Sequence, residues 1–414
     1  MKHLVPTLAV LACAAIPAMG AEDFTLKLSG VIQARALLGN YATNENGDNY
    51  DPLRQQNGNA EYARFGIRRA RIAASAKTSD GWFGNMTIRA GEPNNLDGNY
   101  DSNGGTRGMD LYYAYVGRTF KTGDLEHDLT LGLDKAFNGE SSISSSTLMF
   151  PSNSVTSTIA DSQGARSAGF FYKLNHEFVR FGASVQNNTS TADGATTATN
   201  GDDAIKTGGN NGDSQNGLRF STRIEGGLLP AKKAESFAGV PGTHVVVGFD
   251  AAKNQSVYTK DTSRADYTIL GPDLMVHLDG LSFLAEYRFR STDTTAINVN
   301  PANTTRDEAR FWAVTAGYAI PTESGVVFEP AIRAQWADIH SHKGTPAATD
   351  IGNKPAITKN GEFNGDNSGR DIAVGLNTYW NGHKNKTQVA FSQAKADTED
   401  ASARFFTVQH QVLF

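Results

Sequence analysis

The chain has 414 residues, 38 basic and 43 acidic side chains for a formal net charge of −5, 39% hydrophobic residues and a mean hydropathy of −0.40. Beyond Ile16 no apolar run approaches the roughly 18 residues that a membrane-crossing helix needs. A weakly acidic balance and a single cysteine, Cys13, give no support to nucleic-acid binding or a disulfide scaffold.

At the start of the chain Lys2 and His3 precede the apolar run Leu4 to Ile16, and Ala18-Met19-Gly20 places small residues at cleavage spacing. This is the pattern of a secretory signal peptide over 1–20. A lipoprotein acylation box at Val10-Leu11-Ala12-Cys13 is the weaker reading, because the apolar stretch before it is short. Removal of 1–20 leaves a cysteine-free mature domain, 21–414, which no Pro-rich or charge-block linker divides.

From Phe24 onward, segments of period-2 alternation are separated by connections that are by turns long and short. The first strand, near 24–38, sets Phe24, Leu26, Leu28, Ile32 and Ala34 on one face and Lys27, Ser29, Gln33 and Arg35 on the other. After loop 39–60 come strands near 61–77 and 82–91, joined by Thr78-Ser79-Asp80-Gly81. Loop 92–107 leads to strands near 109–120 and 127–137, then loop 138–165 to strands near 166–174 and 177–186, which turn at Asn175-His176. Loop 187–214 precedes strands near 216–225 and 243–252, whose link, 226–242, is longer than the other turns. Strands near 265–278 and 281–291 turn at Asp279-Gly280, the strongest short hairpin signal in the chain. Strands near 310–320 and 326–338, then 370–380 and 386–395, flank loop 339–368, and a strand near 404–414 ends on Phe414.

Sixteen strands with short turns on one side and long loops on the other predict an all-β fold, a transmembrane antiparallel β-barrel. Leu281, Phe283, Ala285, Tyr287 and Phe289 alternate with Ser282, Glu286, Arg288 and Arg290. A charge facing lipid at mid-membrane costs about 2–4 kcal/mol, so the charged set must face the lumen. In the last strand Phe406, Val408, Val412 and Phe414 form the outer face, broken by His410, with Thr407, Gln409 and Gln411 inside. Phe414 reads as the closing aromatic of such a barrel, the signal for insertion machinery. Trp82, Trp312, Trp336 and Trp380 sit where interfacial girdles place aromatics, although a core position would suit each as well.

Several segments resemble the phosphate-selective porin O and P family: Phe65-Gly66-Ile67-Arg68-Arg69-Ala70-Arg71-Ile72, Asp110 to Gly117, Glu140 to Phe150, Phe328 to Arg333 and Ala373 to Trp380. The resemblance implies a sixteen-stranded homotrimeric porin whose third long loop folds inward to narrow the channel, with basic residues along an anion path. Loop 138–165 would be that constriction loop, and Ile143, Leu148, Met149 and Phe150 give it apolar content unusual in a solvated loop. It has no lysine between Asn138 and Ala165, where the family's strong phosphate binders present one; Lys135 lies just before it.

Guanidinium groups replace part of an anion's hydration and grip phosphate with two prongs. Arg35, Arg64, Arg69, Arg71 and Arg89 come from the first three strands, and Lys135, Arg219, Arg223, Arg288 and Arg290 are further lumenal candidates. The second strand carries a conflict of phase: Phe65 and Ile67 outward put Arg64 and Arg68 inside, whereas Ala70 and Ile72 outward put Arg69 and Arg71 inside. A bulge near Arg68-Arg69 reconciles them. Pairing of these arginines with Asp134, Glu225 and Glu286, bracing the wall, is the alternative use.

Enzyme readings find little support. Gly365-Asp366-Asn367-Ser368-Gly369 looks like a serine-protease nucleophile loop but lacks an ordered His and Asp. The acidic stretch Asp97 to Asn103 misses the EF-hand glycine, and no zinc spacing occurs. The sequence therefore predicts no cofactor or metal, and a passive, water-filled channel for small hydrophilic or anionic solutes, exported to the outer membrane of a Gram-negative cell. A general or carbohydrate-passing pore and a barrel adhesin or surface receptor stay open as alternatives.

Overall fold

A computed structural model describes residues 24–42, 60–90, 109–137, 146–152, 154–156, 166–187, 218–230, 233–239, 242–260, 263–296, 304–342, 368–396 and 402–414. The strands are β1 (Phe24–Ala42), β2 (Ala60–Thr78), β3 (Trp82–Ala90), β4 (Met109–Thr122), β5 (Leu125–Lys135), β6 (Arg166–Asn175), β7 (Val179–Asn187) and β8 (Leu218–Leu228). They continue with β9 (His244–Lys260), β10 (Ser263–Leu278), β11 (Leu281–Ala296), β12 (Thr304–Tyr318), β13 (Ile320–Pro321), β14 (Val327–His342), β15 (Gly369–Asn381), β16 (Asn385–Ala396) and β17 (Ser402–Leu413). β13 prolongs β12 past Ala319, so the wall has sixteen staves, as predicted.

Every stave is antiparallel to its neighbours, and β1 pairs with both β2 and β17, from Val31 opposite Leu413 to Ala42 opposite Ser402. Closure removes the sheet edges, whose unpaired backbone groups would each cost several kcal/mol in hydrocarbon. Phe414 completes the seam: its N–H donates to Gly30 O (3.1 Å), Gly30 N–H donates to Phe414 O (2.7 Å), and the Phe414 ring lies where a Cβ on residue 30 would stand. The chain's last residue thus meets the first strand, as the terminal pattern predicted.

The alternation sorts side chains as the sequence indicated. Gln33, Arg35 and Leu37 are buried inside while Leu26, Leu28 and Ile32 face out, Leu28 with 68% of its surface exposed. In β17, Thr407, Gln409 and Gln411 are buried, and Phe406, His410 and Val412 are exposed. Trp82, Trp312, Trp336 and Trp380 are all exposed, Trp82 and Trp380 at stave ends and Trp312 and Trp336 in mid-stave, and the Tyr287 and Trp312 rings are 4.3 Å apart. A continuous outward apolar surface of this size fits lipid, not water. Among the described residues no helix is long and apolar enough to cross a membrane.

The Asp279-Gly280 turn has φ of +46° and +87°, the two left-handed residues of the hairpin turn whose twist matches its strands. Several boundaries differ from the sequence reading. β9 and β10 continue to Lys260 and from Ser263, where a loop was expected, because pairing beyond the lipid needs no apolar alternation to sustain it. The turn after β6 runs over His176 to Phe178 and closes with His176 N–H on Val179 O (2.9 Å). The 1–20 segment, Ile143, the stretch Asp97 to Asn103 and Gly365 to Asn367 lie outside the described residues.

Candidate functional site

The lumen has two walls of different electrostatic character. On the first, β2 slips register against β1 between Gln33 and Ala34: Gln33 faces Arg69 and Ala34 faces Ile67, leaving Arg68 as the extra residue. This bulge resolves the phase conflict. Phe65 and Ile67 are exposed outside on one side of it, and on the other Arg69 is buried inside with Ala70 and Ile72 outward. Arg69 donates to Gln33 Oε1 (3.2 Å), Gln33 donates to Gln411 Oε1 (2.6 Å), and Arg35 donates to Gln409 Oε1 (3.0 Å) and to Pro151 O. Arg71 and Arg89 are cross-strand partners, and their guanidinium carbons lie 3.9 and 5.3 Å from the Tyr112 ring centre. Tyr112 is itself the extra residue of a bulge in β4, since Thr87 faces Tyr113 and Ile88 faces Leu111. Two bulges therefore aim three arginines and a phenol at one patch of lumen. Arg64 lies in β2 opposite Leu37.

The second wall, β8 to β11, holds its cations among carboxylates. Arg223 contacts Asp273 at 2.7 and 2.8 Å, Glu225 at 3.0 Å and Asp250 at 3.4 Å. Arg288 reaches Asp250 at 2.9 Å, Asp273 at 3.3 Å and Glu286 at 3.6 Å. Gly248 makes room for this knot, because a Cβ there would stand 2.7 Å from Asp273 Oδ1. These two arginines adopt the bracing arrangement, with Asp250 and Asp273 as partners that the sequence reading missed. Arg219 is fully buried on β8, Arg290 lies 5.4 Å from the Phe311 ring centre, and Lys135 ends β5 half-buried.

Two connecting segments lie against the inner side chains of the staves. After β5, Phe137 packs over Gly182 of β7, and its N–H donates to Ser221 Oγ (3.2 Å). Further on, Ser146 O accepts from Gln411 Nε2 (3.0 Å), and Leu148 O accepts from both Lys386 Nζ (2.7 Å) and Gln388 Nε2 (3.0 Å). Met149 and Phe150 are buried against Ala331, Ala373 and Ala390 and enter sockets over Gly317 and Gly375, where a Cβ would stand 2.7 and 3.1 Å from them. Arg333 donates to Ser152 O (2.9 Å), Val155 N–H to Gln335 Oε1 (2.8 Å) and Thr156 Oγ1 to Glu286 (2.6 Å). These contacts of 146–156 run along β1 and β9 to β17.

The second segment is the link between β8 and β9, expected as an overlong turn. Ala234, Glu235 and Ser236 are buried, Ser236 donates to Glu329 (2.8 Å), Phe237 N–H donates to Ser282 Oγ (2.6 Å), and Glu235 O contacts His277 Nε2 at 3.2 Å. Lys233 pairs with Glu225, and Glu235 accepts the Met149 N–H, so the two segments touch. Leu148 and Leu229 share an apolar cluster with Val246, Met275 and Leu284. Burial pushes the Glu235 carboxyl up to about 7, and burial with Arg223 nearby brings Lys233 down to about 8. Glu329 gathers the rest, accepting from Tyr379 OH (2.5 Å) and Asn377 Nδ2 (3.1 Å). Lys233, Glu235, Glu329, Arg333 and Lys386 escaped the sequence reading. Alternation alone would have put Glu329 and Arg333 inside, between the outward Phe328 and Ile332.

No protein-family model and no curated protein matches the sequence. Solved structures do match the fold. The outer membrane channel DcaP of Acinetobacter baumannii shares 14% identity over 94% of this chain and 97% of its own, with a TM-score of 0.54. OprB of Pseudomonas putida shares 9% over 94% of each chain at 0.51, and OmpF of Salmonella typhi 13% over 94% and 97% at 0.50. The fold is that of these outer-membrane barrels.

Proposed function

We propose that this protein is a porin of a Gram-negative outer membrane, a passive channel through which small hydrophilic solutes diffuse, with a preference for anions. The observation that carries the channel reading is the closed sixteen-stave barrel, apolar outside and lined by amides, hydroxyls and charges within. Such a lining replaces bulk water along a path that lipid would close. The described contacts of 146–156 crowd the β9 to β17 side and β1, so the open path runs beside β2 to β7, past Arg69, Arg71, Arg89 and Tyr112. Those arginines supply the anion preference and suit phosphate-type oxyanions, in line with the family resemblance of β2 and β4. Segments 146–156 and 233–239 narrow the path together. Residues 1–20 direct export and are cleaved, Phe414 serves the insertion machinery, and the working form is a homotrimer with no cofactor.

The test is a planar bilayer holding the purified protein. Stepwise conductance, a reversal potential on the anion side of a KCl gradient and a chloride current reduced by added phosphate are expected. No conductance would sink the channel, a cation-side potential the basic path, and an unaffected current the oxyanion preference.

A further inference from the structure

From the arginines toward the short turns, the first wall changes character. Arg71 faces Arg89, and two like charges directly opposite one another repel and favour an anion between them. The next two inward rows pair a small polar residue of β3 with a tyrosine of β4: Thr87 faces Tyr113, and Asn85 faces Tyr115. Tyr113 and Tyr115 are half-buried. The β4 bulge sets Tyr113 against Tyr112, with ring centres 4.7 Å apart and planes at 77°. Thr87 Oγ1 donates to Asn85 Oδ1 (3.0 Å), which engages the acceptor of that amide and leaves its NH2 to donate. On β5, Gly132 stands opposite Tyr115 without a side chain of its own, and Asp134, the next inward residue, is an acceptor.

Other rings on the inner side are used for packing: Phe137 lies over Gly182, Phe150 over Gly375, and Tyr379 donates to Glu329. The Tyr113 and Tyr115 rows combine ring faces with an amide, a hydroxyl and a carboxylate. A pyranose matches that combination, because it offers an apolar C–H face to an aromatic ring and a rim of hydroxyls to donors and acceptors. Inorganic phosphate would use the arginines alone. From Arg89 to Asn85 the β3 strand runs four residues, about 14 Å at the rise of an extended chain, room for a phosphate followed by one sugar ring.

We propose that this wall prefers a monosaccharide phosphate ester to inorganic phosphate, holding the phosphate between Arg71 and Arg89 and the sugar ring against Tyr113 and Tyr115, with Asn85, Thr87 and Asp134 on its hydroxyls. The inference rests on the anion-path reading. It is tested in planar bilayers by titrating the chloride current of the wild type with inorganic phosphate, glucose 6-phosphate, its open-chain counterpart sorbitol 6-phosphate, and glucose. Half-block by glucose 6-phosphate should come at a concentration at least about fivefold below that of inorganic phosphate, since a ring contact adds to the charge contact. Sorbitol 6-phosphate, with the same charge and no ring, should fall about threefold short of glucose 6-phosphate, and glucose should hardly block. In Tyr113→Ala/Asn85→Ala inorganic phosphate and glucose 6-phosphate should block alike, whereas Tyr113→Phe, which keeps the ring, should keep the preference. Equal block of the wild type by inorganic phosphate and glucose 6-phosphate, or by the ring and open-chain esters, would overturn the inference while leaving the oxyanion path standing. So would a preference that survives Tyr113→Ala/Asn85→Ala. Block by none of the anions, or a cation-side reversal potential, would overturn both.

Discussion

The β1 to β4 wall and the β8 to β11 wall use the same residue type to opposite ends. Arg223 and Arg288 sit in a knot with Asp250, Asp273, Glu225 and Glu286, where each guanidinium offsets carboxylates that would otherwise repel one another across neighbouring staves. Arg35, Arg69, Arg71 and Arg89 have glutamines and the face of Tyr112 among their neighbours. The first arrangement fixes the wall's shape; in the proposed channel the second supplies the field along the path. An arginine facing the lumen is therefore not by itself a selectivity residue, and what decides its role is which side chains the register places across from it.

Charge reversal gives the largest contrast. The Arg69→Glu/Arg71→Glu/Arg89→Glu variant should move the anion-to-cation permeability ratio by at least about tenfold, the lower end of what focused fields achieve, read from reversal potentials in graded KCl. Next is Asp273→Ala, which takes from two buried guanidinium groups a carboxylate they share. A loss of about 3 kcal/mol in unfolding free energy is expected from urea titration in lipid vesicles. Gly375→Leu fills the socket of Phe150 and should cost about 1–3 kcal/mol, with a changed single-channel conductance as segment 146–156 is displaced. The smallest effect is a pH dependence. Glu235 holds its proton up to about 7 when folded and releases it near 4.5 when unfolded, so stability should fall between those values as pH rises and level off above. Lys233 acts in the opposite sense, adding stability as pH climbs from about 8 to 10.5. Glu235→Gln should flatten the lower slope alone.

The barrel was legible because lipid imposes a strict rule on every stave: apolar out, anything else in. That rule sets the phase of β1, β11 and β17, and its local violation at Phe65 to Ile72 discloses the bulge from sequence alone. Where lipid does not act, the signal stops. The paired ribbon beyond Ala252 lacks alternation, and the link around Glu235 looks like an overlong turn because lumenal packing has no period. The partners of Arg223 were hidden for a related reason. Asp250 and Asp273 sit 27 and 50 residues away in sequence and become neighbours only through cross-strand register.

The comparison between the walls is tested most directly by two neutral variants measured side by side in a KCl gradient. In Arg69→Gln/Arg71→Gln/Arg89→Gln the anion-side reversal potential should collapse toward zero. In Arg223→Gln/Arg288→Gln/Asp250→Asn/Asp273→Asn, which removes equal numbers of positive and negative charges, it should stay at the wild-type value. A second variant that shifts as far as the first, or a first that does not shift, would contradict the account.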